Sequence, residues 1–400
     1  MINVAILGYG TVGAGVYKVL DMNRETIARR VGEELYVKYV LDLRDFPGDP
    51  AQEVLTHNYN DILTDSDVMI VVETMGGLNP AYKFTKLALE AGKSVCTSNK
   101  ELVAEKGLEL RDIAKANHVN YLFEASCGGG IPIIHALDNA LTADEIDAVT
   151  GILNGTTNYI LTQMAEENEE FSEALKGAQK KGYAELHPEA DIEGWDACRK
   201  IAILSSLAYG KYVSYKDVFT EGIKDIDTVD IAYAKSMGFK IKLLASSRRT
   251  EEGAWLMVAP KLVDGKNMLY HVNGVLNAVY VHGNALGDCI LYGSGAGSLP
   301  TASAVAGDVI SAARNHGRPI PSDWSDDALP LIPIDDVRNV FFVRFAGTAD
   351  EAEAAFGKIE KVMIPEAEGE FGFFTTEMTE KEFRDAAEKS GKVIKAIRRA

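Results

Sequence analysis

Asp196 and Lys200 stand four residues apart in the stretch Gly194-Trp195-Asp196-Ala197-Cys198-Arg199-Lys200. On a helix that spacing puts both side chains on one face. An acid beside a lysine can hold the amine as a proton carrier for a reacting hydroxyl. The same spacing also describes an ordinary exposed ion pair, which contributes little. Two more acids, Glu185 and Asp191, precede the pair and could receive a substrate ammonium. His187 lies among them and reads as a solvated loop residue.

A second group sits near the start of the chain, Gly8-Tyr9-Gly10-Thr11-Val12-Gly13, after a short apolar run and before a helical pattern. Glycine at the first position permits a tight turn. At the second it lets backbone approach a pyrophosphate, and at the third it lets helix and strand pack closely. The helix start that follows attracts the anion. In this strand–turn–helix setting the motif points to a dinucleotide. The next apolar run ends in Leu41-Asp42-Leu43-Arg44-Asp45. An acid there accepts from the ribose 2′-hydroxyl of NAD, and an arginine pairs with the 2′-phosphate of NADP. Both Asp42 and Arg44 are present, so the choice between NAD and NADP stays open. Lys100, in Cys96-Thr97-Ser98-Asn99-Lys100, closes a later apolar run at the edge where open α/β sheets bind ligands.

These residues need elements to carry them. Apolar runs at 2–7, 36–41, 68–72, 95–97 and 119–123 alternate with helical patterns. That alternation predicts a Rossmann-type, doubly wound parallel sheet. From 132 the pattern changes to helices at 133–141, 157–165, 171–181 and 193–208, then strand-rich sequence over 240–292. This reads as an inserted α/β domain with a mixed or antiparallel sheet. A helical stretch at 300–314 is expected to return to the first domain. Residues 321–336, rich in Pro, Asp and Ser, are expected to be a linker. Beyond it the order strand, helix, strand, strand, helix, strand is ferredoxin-like. The expected domains are 1–131 (completed by about 298–320), 132–297 and 337–400.

Composition excludes other classes. The net charge of −18 disfavours phosphate backbones and anionic membranes as partners. No apolar run reaches the ~18 residues of a membrane span, and the start of the chain lacks the features of a signal peptide. The four cysteines show no metal-binding or disulfide spacing. A cytoplasmic location is expected.

Taken in order, the motifs resemble the homoserine dehydrogenase family over about residues 1–315. The resemblance rests on Gly182-Tyr183-Ala184-Glu185 with Pro188, Asp191, Gly194, Asp196 and Lys200. It is supported by the stretches 124–132 and 151–160, by Gly293-Ser294-Gly295-Ala296-Gly297, and by Pro300-Thr301-Ala302. It implies NAD(P)-dependent interconversion of homoserine and aspartate 4-semialdehyde, in threonine and methionine biosynthesis. It implies Lys200, Asp196 and Lys100 as catalytic residues, and Glu185, Asp191 and Lys100 as substrate-binding residues. Thr74 and Gly295 join the glycine motif in binding cofactor. A structural sodium ion is implied on Glu124 and the carbonyls of Cys127, Gly129 and Ile131. A homodimer or homotetramer is implied, as is a monofunctional chain with a short ACT-like C-terminal region. That region departs from the pattern, because 345–350 lacks the glycine-rich turn of amino-acid-binding ACT domains. The rival readings are another Rossmann reductase of aspartate-family intermediates and a non-catalytic NAD(P)-binding sensor.

Overall fold

The short apolar runs of the first third pair side by side as parallel strands. The computed structural model describes residues 1–365 and 367–400, in two compact units. Unit one holds residues 1–145, 202–215 and 291–328; unit two holds 146–201, 216–290 and 329–400.

In unit one the strands are β1 (Ile2–Leu7), β2 (Leu35–Leu41), β3 (Leu55–Thr56), β4 (Val68–Glu73), β5 (Ser94–Thr97) and β6 (Tyr121–Leu122). Their spatial order is β3-β2-β1-β4-β5-β6, and every pairing is parallel. β1 is buried almost throughout, because a parallel sheet is covered on both faces. The chain runs from β1 outward to β2 on one side and then returns to β4 on the other. That reversal opens a crevice at the carboxyl ends of β1 and β4, directly above the glycine motif.

The helices of this unit are α1 (Thr11–Met22), α2 (Arg24–Val31), α3 (Tyr59–Leu63), α4 (Ala81–Glu90), α5 (Lys100–Ala116) and the short α6 (Ile133–His135). The helix Ser298–Arg314 returns to the same core, its buried face built largely of alanine and valine. It lies so close to α1 that a Cβ on Gly15 would sit 2.7 Å from the Ser298 carbonyl oxygen. α2 has no counterpart among the sequence expectations. It is mostly charged and buries one residue, Ile27, so it carries little apolar periodicity.

The expected linker divides between the units at 328/329. Its first half is anchored in unit one by Trp324, which is 4% exposed and meets Phe123 edge-on. A tryptophan in a polar, proline-rich stretch is an anchor that composition alone hides. The expected boundary at 131/132 lies inside unit one.

Unit two is built on a ten-stranded sheet. Its members are β7 (Ile146–Ile152), β8 (Phe219–Thr220), β9 (Phe239–Thr250), β10 (Gly253–Asp264), β11 (Leu276–Gly283) and β12 (Gly287–Ser294). After the short β13 (Arg338–Asn339) come β14 (Phe341–Phe345), β15 (Lys361–Val362) and β16 (Phe371–Phe374). β17 (Met378–Thr379) pairs with β13 apart from the main sheet, and β18 (Val393–Arg399) ends the series. The order is β12-β11-β7-β9-β10-β18-β14-β16-β15, with β8 beside β10. The helices are α7 (Gly155–Glu167), α8 (Phe171–Lys180), α9 (Glu189–Ile192), α10 (Trp195–Tyr209) and α11 (Thr228–Ser236). The C-terminal strands adopt the order fourth, first, third, second, which is the ferredoxin-like βαββαβ arrangement. They are not a separate sheet. β18 pairs in parallel with β10, so the C-terminal strands extend the sheet of the middle region.

A buried arginine ties this extension to α11. Arg344 on β14 donates to both carboxylate oxygens of Asp227 at 2.8 and 2.9 Å, to Asp230 at 2.8 Å and to Glu370 at 2.7 Å. Asp227 and Asp230 also form the capping box of α11. Burial pushes the Asp230 carboxyl up, and the guanidinium pulls it back. Replacing Arg344 with methionine strands buried carboxylates, a loss of roughly 3–5 kcal/mol. Urea unfolding of Arg344→Met should show that drop. A change below about 1 kcal/mol would mean the cluster does not hold the extension in place.

Candidate active site

The glycine motif forms the floor of the nucleotide end in unit one. A Cβ on Gly13 would lie 1.9 Å from the Gly8 carbonyl oxygen, so no larger residue fits there. Above Gly10 the opposite holds: nothing stands within 4 Å of where its Cβ would be. Gly10 is also the N-cap of α1 and offers no side chain to its first N–H groups, those of Thr11, Val12 and Gly13. Open space over an uncapped twelve-residue helix fits a pyrophosphate. Thr74 braces the turn from below, its hydroxyl donating to the carbonyls of Gly8 at 2.8 Å and Leu7 at 3.1 Å. Ser298 donates to the Thr11 carbonyl at 2.7 Å, which draws the Gly295–Gly297 turn to the same edge.

Asp42 and Arg44 are not independent loop charges. Arg44 Nε donates to Asp42 Oδ1 at 3.0 Å and Nη2 to Oδ2 at 3.1 Å. The backbone N–H of Arg44 bonds Oδ1 at 3.0 Å, and that of Tyr9 bonds Oδ2 at 2.8 Å. The guanidinium holds the Asp42 carboxyl well below the usual range. A carboxylate has about four acceptor directions, and four donors occupy those of Asp42. The Arg44 side chain remains 62% exposed.

At the ends of β4 and β5 the structure adds a residue that the sequence reading missed. Glu73 is fully buried, accepts from Thr97 Oγ1 at 2.6 Å and from the Met75 N–H at 2.8 Å, and so joins the two strand ends. Burial pushes its carboxyl up. Asn99 caps α5 through Leu102 N–H and donates to the Gly77 carbonyl at 2.6 Å. Lys100 is therefore the first residue of α5, a cation set against the positive end of the helix dipole. The signal for Glu73 was present: a lone acid ending an otherwise apolar strand.

The loop after β6 carries Glu124, Cys127, Gly129 and Ile131. The oxygens of Glu124 accept the N–H groups of Ile134 at 2.9 Å and His135 at 2.6 Å. His135 Nε2 bonds Asp308 Oδ1 at 3.0 Å, and Asp308 Oδ2 accepts the Glu124 N–H at 2.8 Å. Burial and the neighbouring Asp308 push Glu124 up, and the bond to Asp308 pushes His135 up. Ligand atoms of Glu124, His135 and Asp308 lie within 4.8 Å of one another, a group that could hold a metal ion.

In unit two the acid–lysine pair opens α10. Lys200 Nζ donates to Asp196 Oδ2 at 2.7 Å, and the side chains are 11% and 3% exposed. The pair is buried, which removes the surface-bridge reading. Lys200 Nζ also donates to the Leu153 carbonyl at 2.8 Å. Asn154, the next residue, donates from Nδ2 to Asp191 Oδ1 at 2.7 Å and to Asp196 Oδ2 at 2.9 Å. The junction of β7 and α7 thus gathers Asp191, Asp196 and Lys200. Glu185 is not gathered with them: it is exposed, and its carbonyl accepts from Gln179. Asn154 was the second residue missed. Its signal was an asparagine between a strand and a helix, with the N-cap spacing to Thr157.

Known proteins match this chain along most of its length. The model of the homoserine dehydrogenase NAD-binding domain matches residues 8–124, and the homoserine dehydrogenase model matches 132–310. A homoserine dehydrogenase of Neisseria gonorrhoeae is 38% identical over 378 residues, 91% of this chain and 86% of that one. One of Bacillus subtilis is 40% identical over 78% of this chain and 73% of its own. The crystal structure of a homoserine dehydrogenase from Thiobacillus denitrificans superposes with a TM-score of 0.92 at 37% identity, covering 100% of this chain and 98% of that one. A hyperthermophilic archaeal homoserine dehydrogenase in complex with NADPH gives 0.65 at 28% identity, covering 78% of this chain and 97% of that one. With a dinucleotide-binding turn, a buried acid–lysine pair and relatives matching along most of its length, the chain belongs to the homoserine dehydrogenase family, NAD(P)-dependent oxidoreductases that act on a CH–OH group.

Proposed function

We propose that Lys200 is the proton carrier in the interconversion of homoserine and aspartate 4-semialdehyde. The observation that supports it is the burial of its amine between Asp196 and the Leu153 carbonyl. Two fixed acceptors orient the amine. In oxidation Lys200 takes the hydroxyl proton; in reduction it returns a proton to the carbonyl oxygen. Asp196 orients Lys200 and steadies its charged form. Asp191 receives the substrate ammonium, a role the exposed Glu185 does not share, and Lys100 adds positive charge beside the reacting oxygen. Bound NAD(P) supplies the hydride acceptor or donor. The residues that would hold it are Gly8, Gly10, Thr11, Val12 and Gly13, with Thr74 and Gly295 beside them. Lys200→Ala should lose about 10²–10⁴-fold in kcat while cofactor binding, followed by nucleotide fluorescence, is unchanged. Near-normal kcat would remove Lys200 from the role.

The finer reading of the cofactor is NADP. Asp42 is saturated by its own neighbours, while Arg44 beside it presents an exposed cation for a 2′-phosphate. Arg44→Ala should raise KM for NADP about tenfold or more and leave KM for NAD within about twofold. Equal losses with the two nucleotides would overturn this preference.

The reading also includes a homodimer assembled through the middle sheet, whose outermost strand, β12, ends the strand order as an eight-residue edge. Light scattering should return at least twice the 43.4 kDa chain mass; a monomer at assay concentration would end that part. A cytoplasmic setting suits a chain whose four cysteines are thiols, three of them buried. Among the described residues no helix is long and apolar enough to cross a membrane.

A further inference from the structure

We infer that Asn154 is a positioning residue for the reaction: its amide nitrogen sets the spacing of Asp191 and Asp196 and lets both stand as carboxylates side by side. This rests on the proposed roles of those two acids.

The geometry assigns every polar atom of the side chain. Asn154 Oδ1 accepts the Thr157 N–H at 2.8 Å and the Thr157 hydroxyl at 3.0 Å, so the oxygen end is the N-cap of α7. The nitrogen end has two N–H groups. One donates to Asp191 Oδ1 at 2.7 Å and the other to Asp196 Oδ2 at 2.9 Å. A flipped amide would aim its oxygen at two carboxylates and its nitrogen at two donors, so the network admits one orientation. The residue is 6% exposed, and water competes poorly for these bonds.

The consequence is specific to this pair of acids. Two carboxylates reaching one nitrogen repel each other, and the usual outcome is that one of them takes up a proton. A neutral donor between them offsets that tendency without adding a charge. It also divides two jobs that must not merge. Asp191 has to meet a substrate ammonium, and Asp196 has to hold Lys200 at 2.7 Å. Leu153, the preceding residue, fixes Lys200 through its carbonyl. Two consecutive backbone positions therefore set the distance from the ammonium-binding acid to the proton carrier.

A cap alone would need none of this. Serine and aspartate cap helices about as well as asparagine, but serine has no second donor and aspartate has no amide donor at all. N154S and N154D therefore keep the cap and remove the bridge. For N154S the inference expects an unchanged melting temperature within about 3 °C. It expects KM for homoserine to rise about tenfold, kcat to fall about tenfold or more, and the acid limb of the kcat/KM profile to move to higher pH. N154D should move that limb further in the same direction, because it adds a third carboxylate. If N154S melts early, N154G, which weakens a cap only slightly and carries no donor side chain, supplies the comparison. Kinetics within about twofold of the unaltered enzyme for both variants would overturn the inference, since a cap is then all that Asn154 provides. So would equal loss in both variants with an unmoved pH profile. Carbon-13 titration of the aspartate carboxyls, assigned through D191N and D196N, keeps this test apart from the function itself. An unaltered chain that fails to oxidise homoserine would sink the proposed function. Unmoved aspartate titrations in N154S would sink the role of Asn154.

Discussion

A buried ion pair sets the terms for the middle of this protein. Taking Asp196 and Lys200 out of water costs on the order of several kcal/mol per ion, which their attraction repays only if their remaining hydrogen-bonding capacity is met. The chain meets part of it with a carbonyl and an amide from two consecutive residues, Leu153 and Asn154, where β7 ends and α7 begins. That requirement explains why a strand must end there, why the helix must start with an asparagine cap, and why α10 must begin just before Asp196. The pair is expensive as structure, and its retention in a nearly dry position makes sense as chemistry.

The opposite constraint governs the nucleotide end. There the protein must leave room rather than fill it. Gly13 is pressed against the Gly8 carbonyl, so helix and turn close up beneath, while Gly10 faces open space above. Thr74 and Ser298 then fasten the turn through its carbonyls. Glu73 serves the neighbouring strand ends in the same way, from inside the sheet.

The C-terminal region shows how a sheet can absorb what looks like an appendage. Its βαββαβ order could have stood as a free module. Instead β18 lies parallel to β10, and Arg344 fastens β14 to the cap of α11. A change of shape in that region would act on the sheet whose other strands include β7, the strand that ends at Leu153 and Asn154.

The sequence by itself determined the elements with a strong period and the residues with a strong motif. The strand Ile2–Leu7 and the helix Glu380–Ser390 lie where the pattern puts them, because burial on one face imprints its period on the chain. The glycine turn and the Asp196–Lys200 spacing were legible because both are local. What only tertiary structure decided is which distant groups meet. The burial of Trp324 in a polar stretch, the merging of the C-terminal strands into the middle sheet, and the bridge from Asn154 to Asp191 and Asp196 all depend on contacts with no signature at the residues themselves. A hydrogen bond between positions 37 or 42 apart is fixed by where the backbone returns. That return is set by packing of the whole core, so local spacing could name the acids and the lysine but not the amide that holds them together.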